Sequence, residues 1–169
     1  MRFGWVSAVA TAMMLAACGG GDNASGEDDA RVAEAAAFMA ENADADGVVT
    51  LESGLQYKVL TAAPEGAPSP DGNDLVRVHY EGSLTDGTVF DSSFERGSPY
   101  VTTPEQVVPG WTEALQRMKV GDEWLLYVPP ELGYGAQQSG RIPPHSVLVF
   151  RLQLLDMAAA PGGGGSGRG

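Results

Sequence analysis

The 169-residue chain has a single cysteine and two histidines. One thiol cannot close an internal disulfide. Because Cys18 lies near the N-terminus, the sequence also excludes thiolate catalysis in the mature domain and cysteine-based metal sites. His79 falls on the polar face of a strand pattern and His145 follows Pro143-Pro144; two isolated histidines without cysteine do not make a zinc site. Positive charge is scarce too. Lys and Arg number 10 against 22 Asp and Glu, for a net charge of −12, and no basic patch stands out. Nucleic acid and anionic lipid surfaces are therefore poor partners. No G-x-S-x-G elbow is present. Gly133-Tyr134-Gly135 does not open a helix with Lys and Ser or Thr behind it, so a phosphate-cradling loop is missing as well. The sequence implies no cofactor and no metal, and it contains no internal repeat.

Apolar runs are short. After Arg2, Val6 to Leu15 give about ten mostly apolar residues, well under the ~20 needed to span a bilayer. Leu15-Ala16-Ala17-Cys18 follows, and it resembles a bacterial lipobox. Residues 1–17 then read as a lipoprotein signal peptide and Cys18 as the lipidated residue. A lone cysteine in an exported protein has no disulfide partner, and lipidation gives it a role. Gly19, where aspartate would often signal inner-membrane retention, points to the outer membrane, facing the periplasm. Residues 18–26 read as a flexible spacer. Residues 27–50 form an N-terminal helical segment, alanine-rich from Glu27 to Ala43, with Val32, Ala36 and Met39 on one face and Ala35 and Phe38 beside them. Residues 158–169 read as a disordered Gly-rich tail.

Between these tails, residues 51–157 carry the pattern of one small domain. Leu51 to Leu60 reads as a turn and a strand, and the Pro- and Gly-containing stretch 62–73 as a loop. Leu75 to Leu84 alternates, with Val76, Val78 and Tyr80 on one face. Asp86-Gly87 is a hairpin signal, and Val89-Phe90 begins the return strand. Trp111, Ala114, Leu115 and Met118 fall at i, i+3, i+4 and i+7, which predicts a short amphipathic helix between Pro109-Gly110 and Gly121. Trp124 to Val128 and Val147 to Leu155 are strands. The expected class is α+β, a helix packed on an antiparallel sheet.

Aromatic side chains are spread over most of these elements: Tyr80, Phe90, Tyr100, Trp111, Tyr134 and Phe150. They either fill a core or line a pocket. Tyr134 sits in a Gly-rich loop with few obvious packing partners, and Asp91 follows Phe90 directly where a hairpin needs no acid. An apolar aromatic cup with a carboxylate and a phenol at its rim would take a small molecule or a peptide.

VRVHYEGSLTDGTVFDSSFERGSP, QVVPGWTEALQRMKVGD, PPELGYG and IPPHSVLVFRLQLLD resemble, in order, the FKBP-type peptidyl-prolyl cis-trans isomerases, with the motif-bearing part at 75–157. SGLQYKVL and the residues before it resemble the exported, macrophage infectivity potentiator-like branch. The resemblance implies a bent antiparallel sheet wrapped around one short helix. It implies a pocket lined by Tyr80, Phe90, Asp91, Tyr100, Val107, Val108, Trp111, Tyr134, Ile142 and Phe150. Trp111 would form the floor under a proline ring, and the Val108 N–H and Tyr134 hydroxyl would donate to substrate carbonyls. Asp91, Tyr134 and Phe90 would carry catalysis. Asp91 would polarise the pocket, cap the turn at Ser92-Ser93, or do both. The implied partners are proline-containing polypeptides and FKBP-binding macrolides. The implied activity is rotation about X-Pro bonds, the alternative being a proline-peptide-binding chaperone module with little turnover. The extended helical dimerisation domain of longer members is reduced here to Glu27–Asp46, so dimerisation does not carry over.

Overall fold

The computed structural model describes residues 22–160. The expected signal peptide 1–17, Cys18 and the Gly-rich stretch 161–169 lie outside the described residues. Helix α1 (Asp22–Ala43) is followed by strands β1 (Val48–Thr50), β2 (Gln56–Thr61), β3 (Leu75–Leu84), β4 (Val89–Ser92) and β5 (Tyr100–Thr102). Helix α2 (Pro109–Arg117) and strands β6 (Glu123–Val128) and β7 (Leu148–Ala158) complete the order. The strands form one 7-stranded sheet, ordered β1-β2-β6-β7-β3-β4, with β5 also paired to β3. All pairings are antiparallel. The expected α+β architecture, a sheet around one short helix, is the one observed.

The alternation in β3 buries Val76, Val78 and Tyr80, and that in β7 buries Leu148, Phe150, Leu152 and Leu154. Trp111, Ala114 and Leu115 of α2, with Met118 just beyond, close the same core. Leu115 and Met118 are 0% exposed, and each such side chain contributes about 1.5–3 kcal/mol. Register shifts interrupt β2–β6, β3–β4 and β3–β7. Extra residues of this kind bend strands, which lets the sheet curve round α2. Pro109 supplies a helix-ready φ at the start of α2. Gly110 lets the helix lie against β6, because a Cβ there would sit 2.7 Å from Val128 Cγ1.

At the Asp86-Gly87 hairpin, the Gly87 N–H donates to Leu84 O (3.0 Å) and the Leu84 N–H to Thr88 O (2.9 Å). Gly87 takes φ 86°, a conformation glycine adopts without a Cβ penalty. The Thr88 N–H holds the Asp86 carboxyl below the usual carboxylate range.

Three expected boundaries move. The helix starts at Asp22, inside the stretch read as spacer; Asp22, Asn23 and Ser25 are residue types that favour helix starts. Val48–Thr50 is a strand paired with β2, so the sheet begins before Leu51. At the other end β7 runs to Ala158, and the Ala160 N–H donates to Asp74 Oδ1 (3.0 Å), so the domain continues past Met157.

The docking face of α1 also differs. Val32 is 46% exposed and Ala36 is exposed, while Ala35 is buried. Phe38 packs 6.2 Å from the Tyr127 ring. Gln56 Nε2 donates to Met39 O (2.7 Å), and Asn42 Nδ2 donates to Gln56 Oε1 (2.7 Å). In an alanine-rich helix several faces are almost equally apolar, so polar contacts with Gln56 select the one used.

Candidate active site

A cavity of about 900 Å³ opens between the N-terminal end of α2 and strands β3, β4, β5 and β7. Its aromatic residues meet edge to face, the arrangement ring quadrupoles favour. Trp111 lies 5.1 Å from Tyr80 at 80° and 5.1 Å from Phe150 at 81°. Phe90 meets Phe150 at 5.7 Å and 87°, and Tyr80 meets Tyr100 at 6.0 Å and 72°. Trp111 is 4% exposed, so it is held rigidly from behind while lining the cavity.

Adjacent residues of a regular strand point to opposite faces, yet Phe90 and Asp91 both line the cavity. The pairing explains this. Ser83 faces Val89 and Gly82 faces Asp91, leaving Phe90 as an extra residue. Such a bulge re-aims side chains. Gly82 makes the space: a Cβ there would lie 2.6 Å from the Phe90 ring and 2.7 Å from Phe150.

Asp91 is tied on both oxygens. The Tyr80 hydroxyl donates to Oδ2 and Arg96 Nη1 donates to Oδ1. Arg96 Nη2 also donates to the Tyr80 hydroxyl at 3.1 Å, with the guanidinium 5.5 Å above the Tyr80 ring. Burial, then the hydrogen bond to Asp91, pushes the Tyr80 hydroxyl above the ordinary phenol range, so it stays a donor. Ser93, 0% exposed, anchors this triangle from below. Its Oγ accepts from the Tyr80 N–H (2.8 Å), and its own N–H donates to Tyr80 O (2.9 Å). The turn after β4 is closed by the Ser92 hydroxyl, which accepts from the Glu95 N–H at 3.3 Å.

The remaining walls come from loops. Val107 and Val108 follow the 3-10 turn Pro104–Gln106, which Thr112 Oγ1 fixes by donating to Pro104 O (2.6 Å). Val108 is the residue capping α2, where leading N–H groups have no intrahelical partner. Tyr134, 41% exposed, stands beyond the 3-10 turn Pro130–Leu132, and Ile142 is buried at the far side. All ten residues implied as pocket lining are brought together here. Sequence reasoning missed Gln106, Ser139, Gly140 and Arg141 at the rim, and Arg96 behind Asp91. Arg96 stood in the quoted FERG run, but no local signal marks which acid an arginine will reach.

Residues 66–155 match the family described as FKBP-type peptidyl-prolyl cis-trans isomerase. The chain belongs to that family. Residues 11–59 also match the domain amino-terminal to FKBP-type isomerases. The FKBP-type 22 kDa peptidyl-prolyl cis-trans isomerase of Escherichia coli (strain K12) is 50% identical over 129 residues, covering 76% of this chain and 62% of the relative. The outer membrane protein MIP of Legionella longbeachae is 43% identical over 125 residues, 73% of this chain and 53% of the relative. Among solved structures, Escherichia coli FkpA superposes with a TM-score of 0.76 at 39% identity, over 81% of this chain and 63% of that one. The FKBP-type chain thus spans between about half and two thirds of the lengths of these relatives.

Proposed function

We propose that this chain is a peptidyl-prolyl cis-trans isomerase that rotates X-Pro bonds of exported polypeptides without forming a covalent intermediate. The observation carrying this reading is the aromatic cavity floored by Trp111, with Asp91 held by Tyr80 and Arg96 on its wall. The barrier to peptide-bond rotation is about 18–20 kcal/mol and comes from amide resonance. An apolar enclosure disfavours the charge-separated planar form and suits the twisted amide better. The Val108 N–H and the Tyr134 hydroxyl hold the carbonyls on either side of the proline. A ~10⁴-fold acceleration asks for only about 5.4 kcal/mol, within reach of desolvation plus one or two hydrogen bonds. FKBP-binding macrolides would occupy the same cavity.

A protease-coupled assay on a Leu-Pro peptide tests this. Wild type is expected to accelerate isomerisation. Trp111→Leu, which keeps an apolar floor, is expected to fold but to bind the peptide several-fold more weakly. Binding without acceleration would instead identify a proline-peptide-binding chaperone.

The reading extends to location. The segment before Cys18 supports export and lipidation, and a relative is described as an outer membrane protein. No helix among the described residues is long and apolar enough to cross a membrane. The lipid on Cys18 would be the anchor, on the periplasmic side of the outer membrane. Cys18→Ala is expected to lose the protein from the membrane fraction or leave it unprocessed. Equal recovery of wild type and variant in the soluble fraction would defeat this.

A further inference from the structure

The rim of the cavity carries a charge that the isomerase reading does not use. Ser139 and Ile142 close a two-residue hairpin loop, with the Ser139 N–H donating to Ile142 O (3.0 Å) and the Ile142 N–H to Ser139 O (2.9 Å). Gly140 has φ 56°, while Arg141 is not among the positive-φ residues. This is the pattern of a type II′ turn, which asks for glycine at its first central position. Ile142, 5% exposed, belongs to the core cluster and anchors the base of the loop. The backbone of Arg141 is therefore fixed at the tip of a tight turn on the cavity wall, with its side chain exposed.

The other charges of the cavity cancel. Asp91 is paired with Arg96. Arg141 has no ion-pair or hydrogen-bond partner among the described residues. Arg141 thus puts an unpaired positive charge on the cavity rim of a chain whose net charge is −12. The overall acidity does not undo this, because exposed charges beyond about 8 Å are largely screened at physiological salt.

We infer that Arg141 is a specificity-determining residue that favours client segments with an acidic side chain adjacent to the proline. The inference rests on the isomerase reading for the placement of the proline over Trp111. A guanidinium suits a carboxylate because its planar fork can meet both oxygens. The contact is solvent-exposed, so the expected preference is modest, about twofold to fivefold at low ionic strength.

The test uses the full chain and short peptides that differ only in Glu or Gln beside proline, on its N-terminal or C-terminal side. Turnover and Trp111 fluorescence titration are read for each. Wild type is expected to prefer Glu about twofold to fivefold on at least one side, with the ratio falling towards one as salt is added. Arg141→Gln is expected to bring the ratio to one, and Arg141→Glu to reverse it. Each ratio is internal to its variant, so an overall change in activity does not confuse the result. A ratio of one in wild type, in binding and in turnover, overturns the inference and leaves the isomerase reading intact. So does a Glu preference that survives in Arg141→Gln. If no peptide is turned over, the isomerase reading fails; a Glu preference in the titration that Arg141→Gln removes still upholds Arg141 as the selector, and equal affinities overturn it.

Discussion

Asp91→Ala is expected to lower kcat/KM by about tenfold or more, at least ~1.4 kcal/mol of transition-state stabilisation, with a nearly unchanged thermal melt. The small stability effect follows from exposure. The Asp91–Arg96 pair has side chains 42% and 45% exposed, and pairs of that kind contribute about 0–1 kcal/mol. The large activity effect follows from connectivity. The carboxylate orients the Tyr80 hydroxyl and holds Arg96 over the Tyr80 ring, and Tyr80 in turn packs edge-on to Trp111. Its loss frees a wall of the cavity while leaving the core untouched. Asp91→Asn separates two contributions: it keeps an acceptor for Tyr80 and removes the charge opposite Arg96. Unchanged turnover in Asp91→Ala would remove Asp91 from the mechanism, and a lowered melt with unchanged turnover would favour a turn-capping role. The bonds of Ser92 and Ser93 argue against that role, since the Glu95 N–H goes to Ser92 Oγ and the Ser93 N–H to Tyr80 O.

Asp122→Ala is expected to destabilise the fold by about 3 kcal/mol, measured as a lowered denaturation midpoint at unchanged slope. Asp122 is 7% exposed. Its Oδ1 accepts from the Ala63 N–H (2.6 Å) and its Oδ2 from the Lys119 N–H (2.7 Å). Its backbone takes part as well, with the Leu154 N–H donating to Asp122 O at 3.0 Å. The side chain thus joins the loop after β2 to the turn after α2, and the backbone of the same residue ties that turn to strand β7. Truncation leaves two part-buried backbone donors without their carboxylate, which is the costly way to lose a hydrogen bond. Asn is a poor substitute, because its amide presents one acceptor oxygen where two are used. The residue lies in the turn between α2 and β6 and does not line the cavity, so kcat per folded molecule should hold. A midpoint within experimental error of wild type would show that water replaces the carboxylate.

The strands β3 and β7 and the helix α2 were legible in the sequence because each carries its own periodicity: Val76-Val78-Tyr80 in one register, Leu148 to Leu154 in another, Trp111 to Met118 at helical spacing. Strand β6 was legible as a short apolar run ended by Pro129-Pro130. The implied pocket lining came from the motifs of a family, and the cavity gathers all of it. The short strands β1 and β5 were not legible. Each has 3 residues, too few to show an alternation, and each exists because β2 or β3 offers it a ladder. The face of α1 was decided by Gln56, a residue distant in sequence. The partnership of Asp91 with Arg96, the joint aim of Phe90 and Asp91 into the cavity, and the need for glycine at position 82 were likewise tertiary decisions. Local pattern determines which residues prefer burial and at what period. Which polar group meets which, and which backbone must come close, depends on distances that only the folded chain sets.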